Sequence, residues 1–304
     1  MRDALSNDIC AILVLRPGWP NTVPSLTRTT LDFRISVYAT GARECKQIRQ
    51  GATYKGMISM DPAHIAELCQ FVGYGPLEAP LVFLGIEEKG RHPDAHPEDI
   101  EVRVEHFDVP VMDVGDAHER LPAPNPFHAP PGARPVQQWT TAAYFALELL
   151  VPLGLADQAL RPDEYWREHL GRAHGQTLLA ECYPVPRPSM GKAVLNYHPH
   201  DVWDHQRQLI LTQFFQQNMP LFVVAYGAPT WQLIGPLFGV PAGNGWISVN
   251  AVVNGQHRVA GDVCLTESGV VVCRTRFFGS WGRFNRQCIP FLTAQMHALL
   301  SVDL

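Results

Sequence analysis

Two adjacent carboxylates, Glu87 and Glu88, stand directly after the apolar run "APLVFLGI" at residues 79–86. Placed there, carboxylates can orient a water, take up a proton or bind a metal ion, and a solvated loop is the plainer alternative. A second group of chemistry-bearing residues is histidine-rich. "NYHPHDVWDH" supplies His198, His200, Asp201 and His205, and "RHPDAHPED" supplies His92, Asp94 and His96. Imidazole and carboxylate ligands suit zinc or manganese. Neither stretch is a defined metal signature, and Asp201 also suits a helix cap, so no metal is expected. A third group is cationic. Arg274, Arg276, Arg283 and Arg286 fall between residues 270 and 288 with no acid among them. Together with Arg187 and Lys192 they suit a track of phosphates.

Such residues need elements to hold them. The stretch 79–85 is a short apolar run bounded by Pro and Gly, which predicts a buried strand opening into a loop. "QTLLAECYPVPRPS", "PLFVVAYGAPTW" and "GVVVCRTRFFGSWGRFN" repeat the design. Between these runs lie helical patterns. Pro62 suits a first-turn position after Asp61, and Ile65, Leu68, Cys69 and Val72 fall on one side. Residues 136–151, "HDVWDHQRQLILTQFFQQN" and "RQCIPFLTAQMHALLS" predict further helices, and "WQLIGPLFG" begins a short one. Asn254-Gly255 between two β-like runs predicts a hairpin. Residues 91–135 read as a long, irregular, Pro- and His-rich insertion of a kind usually kept for a use. Apolar strands alternating with helices predict an α/β fold, three-layer α/β/α, with a central four-stranded parallel sheet. Its ligand site belongs in the loops after the strands' carboxyl ends: 85–92, 181–192, 226–231 and 275–285.

The 304 residues suffice for one large domain or two small ones. Residues 1–56 show no sustained period and read as an atypical extension, disordered or upstream of a true start at Met57 or Met60, before a domain over 57–304. The formal net charge of −5 rules out a globally basic nucleic-acid binder, so any such contact needs a local basic surface. Seven scattered cysteines with no C-x-x-C pair argue against a disulfide framework, a zinc ribbon or a clustered iron–sulfur motif. No apolar run reaches the roughly 18 residues of a membrane span, and "ICAILVL" lacks a cleavage pattern, so a cytoplasmic protein is expected. No phosphate-binding glycine motif is present, and no cofactor is expected.

Taken in order, the four strand-loop units resemble the motifs of the uracil-DNA glycosylase superfamily over about 57–304. "VFLGIEEKG" is similar to its first motif, "LAECYPVPRPS" to its second-strand loop, "VVAYGAPTW" to its third strand and glycine, and "CRTRFFGSWGRF" stands where its DNA loop does. The chain departs from the pattern at Glu88, where proline is common, and at Arg276, where a histidine is usual. The cysteine ligands of the iron–sulfur members are absent.

The resemblance implies a monomer acting on DNA, a monofunctional glycosylase or a non-catalytic relative; a His/Asp metal-dependent hydrolase remains the other enzymatic reading. Glu87 would handle the attacking water, with Gly85 and Glu88 beside it, and Arg276 would stabilise the departing base. Glu181 would read the base, with Tyr183, Phe277 and Phe278 as stacking groups. Arg187, Ser189, Lys192, Arg274, Trp281, Arg283 and Arg286 would contact DNA. A carboxylate only accepts hydrogen bonds, so Glu181 suits a base edge with two donors, such as guanine's, better than uracil.

Overall fold

Residues 81–85 are apolar and lie between Pro80 and a glycine, and they form a strand with every residue buried, β2 (Leu81–Gly85). The structure is a computed structural model and describes residues 62–86, 97–107, 109–121, 125–128, 136–184, 202–240, 245–278 and 284–301. The expectations for residues 1–56, and for starts at Met57 and Met60, lie outside the described residues.

The other three expected strands form as well: β4 (Thr177–Glu181), β5 (Phe222–Tyr226) and β8 (Val271–Thr275). β2 runs parallel to both β4 and β5, and β5 runs parallel to β8. The sheet that contains them is larger than the four strands expected, and it is mixed. Two-residue strands β1 (Gly73–Tyr74) and β3 (Val111–Met112) extend one side, β1 antiparallel to β4. The hairpin β6 (Ile247–Val253) and β7 (Gln256–Leu265) extends the other, antiparallel to β8. The order is β3-β1-β4-β2-β5-β8-β7-β6. The hairpin turns at Asn254-Gly255, with φ of 51° and 74°, the pairing that a two-residue turn between twisted strands demands.

Alternation along β2 fixes the two apolar clusters. Val82 and Leu84 point to one side, against helices α1 (Pro62–Leu68), α6 (Val202–Gln217) and α7 (Ala228–Phe238). Leu81 and Phe83 point to the other, against α4 (Gln137–Leu150), α5 (Pro162–Glu168) and α8 (Ile289–Leu300). Successive side chains of a strand face opposite ways, so a strand buried on both faces must be apolar throughout.

Residues 91–135 are not simply irregular. Within them lie α2 (Pro97–His106), β3 and α3 (Val114–Arg120). Ile100, Phe107, Met112, Val114, Ala117 and Leu121 are buried there, the last five with Phe71 and Tyr74 in a third cluster. These elements are short and polar on their outer faces, so their apolar positions are too sparse to stand out from the Pro- and His-rich sequence around them. α1 is also shorter than its pattern: it stops at Leu68, yet Cys69 and Val72 are still buried.

Candidate functional site

The parallel pairing brings the ends of four strands into one row. Gly85 lies opposite Glu181, and Tyr226 lies opposite Thr275. The β2–β4 pairing runs past the strand ends, since the amides of Cys182 and Tyr183 donate to the carbonyls of Gly85 (3.0 Å) and Ile86 (2.9 Å). On the other side of β2, the amide of Gly227 donates to the Thr275 carbonyl (3.0 Å), which also accepts from the Trp231 indole (3.2 Å).

Gly85 is glycine for a reason of space. A Cβ there would stand 2.8 Å from Glu181 Oε1, closer still to Oε2, and 2.6 Å from the Tyr226 hydroxyl. The carboxylate from β4 and the phenol from β5 thus converge over the last residue of β2. Gly227 meets a second demand. Its φ is +97°, and a Cβ would stand 2.7 Å from Ile86 Cδ1, so the turn from β5 into α7 accepts no side chain.

A pocket opens beside Glu181, lined also by Phe71, Arg103, Phe107, Tyr183 and Arg207. Arg207 comes from α6 and is 1% exposed. One of its terminal nitrogens donates to the carbonyls of Cys69 (2.9 Å) and Phe71; the other donates to those of Val72 (3.2 Å) and Glu181 (2.6 Å). Arg103 donates to the Tyr74 hydroxyl (3.2 Å) and lies over the Phe107 ring. Two guanidinium groups and one carboxylate therefore line one small, half-aromatic recess, in which the terminal nitrogens of Arg207 are already taken by carbonyls.

The thiols nearby are not nucleophiles. Burial pushes Cys69 up to about 11 and Cys182 well above its ordinary value, in each case against a nearby Arg207 charge. A buried thiol held protonated at neutral pH is inert. Cys182 is the small buried residue expected.

Of the residues expected to act, the structure brings Gly85, Glu181 and Tyr183 together. Phe277 is half-buried against Tyr226, with ring centroids 6.0 Å apart. Phe278 is a core residue: it is 2% exposed and its ring stacks between Tyr226 (4.6 Å) and Phe145 (5.4 Å), leaving no face for a base. Arg274 is engaged within the sheet, its Nε donating to Asp262 (2.9 Å) and its guanidinium 4.2 Å from the Trp246 ring centroid. Arg276 and Arg286 are exposed, the second over the Tyr144 ring. Glu87, Glu88, Arg187, Ser189, Lys192, Trp281 and Arg283 lie outside the described residues, as do His92, Asp94, His96, His198, His200 and Asp201. Among the described residues no cluster of His, Cys, Asp or Glu is placed to hold a metal ion, and no helix is long and apolar enough to cross a membrane.

Tyr226, Arg103 and Arg207 were not expected at the site, nor were the rings of Phe71 and Phe107. For Arg207 a signal exists. It precedes Ile210, Leu211 and Phe214 by three, four and seven positions, so it falls on the buried stripe of α6. A charged residue on such a stripe must find buried partners.

No protein-family model matches the chain, and no curated protein matches it.

Proposed function

We propose that the chain is a base-excision protein of the glycosylase type, a three-layer α/β/α domain over about 57–304. It acts as a monomer on DNA, without metal or cofactor, and hydrolyses the N-glycosidic bond of a flipped, damaged or deaminated base. The observation that carries this reading is the row of strand ends. β4, β2, β5 and β8 deliver their carboxyl ends side by side, and Glu181 and Tyr226 converge over Gly85. Ligand sites of open parallel sheets form at this edge.

In the reaction, the C1′–N bond breaks, water adds to C1′ and the base departs with the bonding electron pair. Positive charge grows on the sugar and negative charge on the base. The resemblance assigns the water to Glu87, whose carboxylate would accept its proton. Glu181 accepts from the base edge, so a base presenting two donors is favoured over uracil. Arg276 would offer permanent charge to the departing base.

A second reading is a non-catalytic DNA-binding module of the same fold. It is favoured by the exposure of Arg276, a poor setting for charge stabilisation, whereas Glu181 is sheltered beside Arg207.

The test is base release from duplexes containing uracil, hypoxanthine, xanthine or alkylated purines, with Glu87→Ala as control. Release of a purine, lost in Glu87→Ala and weakened in Glu181→Asn, is expected. Uracil as preferred substrate with Glu181→Asn unaltered overturns the substrate reading. Binding without release of any base supports the module.

A further inference from the structure

The hairpin of β6 and β7 is longer than the strand it joins. β7 pairs with β8 only over Asp262–Leu265, with Asp262 opposite Arg274. That register sets Gly261 level with Thr275, the last residue of β8, and a Cβ on Gly261 would stand 2.6 Å from the Arg274 carbonyl and 3.4 Å from Thr275 Cγ2. Gln256–Ala260 therefore run on past the row of strand ends, at the edge where Glu181 and Tyr226 converge over Gly85. At about 3.4 Å a residue, this overhang reaches about 17 Å beyond the row. The ladder slips where the hairpin leaves the sheet. Val249 is opposite Gly261 and Asn250 opposite Val259, so Ala260 is an extra residue. A bulge of this kind bends the ribbon and re-aims its side chains.

The two faces of the overhang differ. Ala251, Val253 and Ala260 are buried in the cluster that holds Cys288, Ile289 and Leu292, and this packing against the start of α8 steadies the arm. The other face carries Asn250, Val252, His257 and Val259, all exposed, the two valines by 52% and 60%. Val252 stands opposite His257, and Asn250 opposite Val259, so the four side chains form one compact patch. Arg258, opposite Ala251, is exposed at the margin of the packed face and donates to Gln256 Oε1 (2.9 Å). No acid occurs from Trp246 to Gly261, so nothing on the arm repels a polyanion. A two-stranded ribbon fits the major groove of DNA, about 12 Å wide. Methyl groups suit the thymine methyl there, and an amide side chain can donate to and accept from an adenine edge.

We propose that the β6–β7 hairpin is a DNA-reading arm that enters the major groove of the duplex flanking the base held at the row of strand ends. Val252 and Val259 lie against the groove floor, Asn250 and His257 reach base edges, and Arg258 neutralises a phosphate. The proposal rests on the DNA reading of the site, and it makes duplex, not single strand, the form of DNA that the chain takes.

The experiment is dimethyl sulfate footprinting of the full chain on a hypoxanthine-containing duplex, with fluorescence anisotropy on the same DNA. Guanine N7 faces the major groove, and protection of N7 in the duplex flanking the modified base is expected. The double variant Val252→Glu/Val259→Glu should bind that duplex about tenfold or more weakly and lose the protection. The control Leu77→Glu/Met219→Glu adds the same charge at exposed positions ahead of β2 and β5, at the opposite edge of the sheet, and should change affinity by about twofold or less. Duplex binding with no N7 protection, protection that persists in the arm variant, or equal losses for the two pairs overturns the arm. Should the arm variant fail to fold, the footprint of the native chain decides alone. A native chain that binds no duplex removes the DNA reading and the arm with it. A chain that protects N7 yet releases no base leaves the arm standing and removes only the glycosylase chemistry.

Discussion

Strand β4 has a buried or half-buried arginine near each end, and the two are held in opposite ways. Ahead of the strand, Arg172 donates its Nε to Asp113 (3.1 Å) and lies over the Phe127 ring. Asp113 also accepts from the amides of Ala173 and Gly115 (2.8 Å each), capping α3. Carboxylate and guanidinium there complete one another, and the product is architecture. At the strand's far end Arg207 is held by carbonyls, and the carboxylate beside it lines a pocket. The same two residue types make a closed structural joint in one place and line a small polar recess in the other. What separates them is which oxygen the guanidinium takes.

That contrast can be broken by substitution. The largest effect is expected for Arg207→Met, which leaves four carbonyls without their donor and should cost about 3–5 kcal/mol in chemical denaturation. Arg172→Met should cost only about 1–2 kcal/mol, since its partner Asp113 keeps its amide donors; equal losses would erase the distinction. Next comes Gly85→Ala, where the new methyl collides with Glu181 and Tyr226, for about 1–3 kcal/mol and a weakened pocket, read by melting and ligand binding. Asp113→Asn should cost about 1–2 kcal/mol at pH 7. Burial pushes the Asp113 carboxyl up, but its amide donors and the Arg172 charge outweigh that and hold it below 3.8. A depressed carboxylate stabilises above its ordinary value and loses that contribution as pH falls through the lowered one. Urea titrations of wild type and Asp113→Asn should therefore converge as pH drops below about 3.8. The smallest effect is at Arg276, which is exposed. Arg276→Ala should leave stability within about 0.5 kcal/mol while lowering affinity for duplex DNA, measured by fluorescence anisotropy.

The sequence made some of this plain and hid the rest for physical reasons. β2 and β5 are buried along nearly their whole length, and β4 and β8 over most of theirs, so each appears as a short apolar run. β1 and β3 have two residues each, too few for any period. α5, "PDEYWRE", is a single polar stretch whose buried pair, Tyr165 and Trp166, gives no repeat. Glu181 was legible because a carboxylate after "TLLA" breaks an apolar run. Tyr226 was not, because a tyrosine ending "FVVAY" reads as strand interior, and only the register across β2 reveals where its hydroxyl lies. Phe278 misled in the other direction. Beside an exposed arginine and a half-exposed Phe277 it looks like a stacking platform, and only the packing of α4 behind it shows that both its faces are taken.

Gly85 carries a consequence for how this site can change over generations. Its missing side chain is a space occupied by groups from two neighbouring strands, so positions 85, 181 and 226 share one volume. No one of them can grow unless another shrinks. Alanine at 85 should be tolerated better in a Tyr226→Phe background, which removes the phenolic oxygen 2.6 Å away, than in the native one. A lineage or a mutagenesis library that seeks a new specificity here has to move through pairs of substitutions, and single-site screens will read all three positions as immutable.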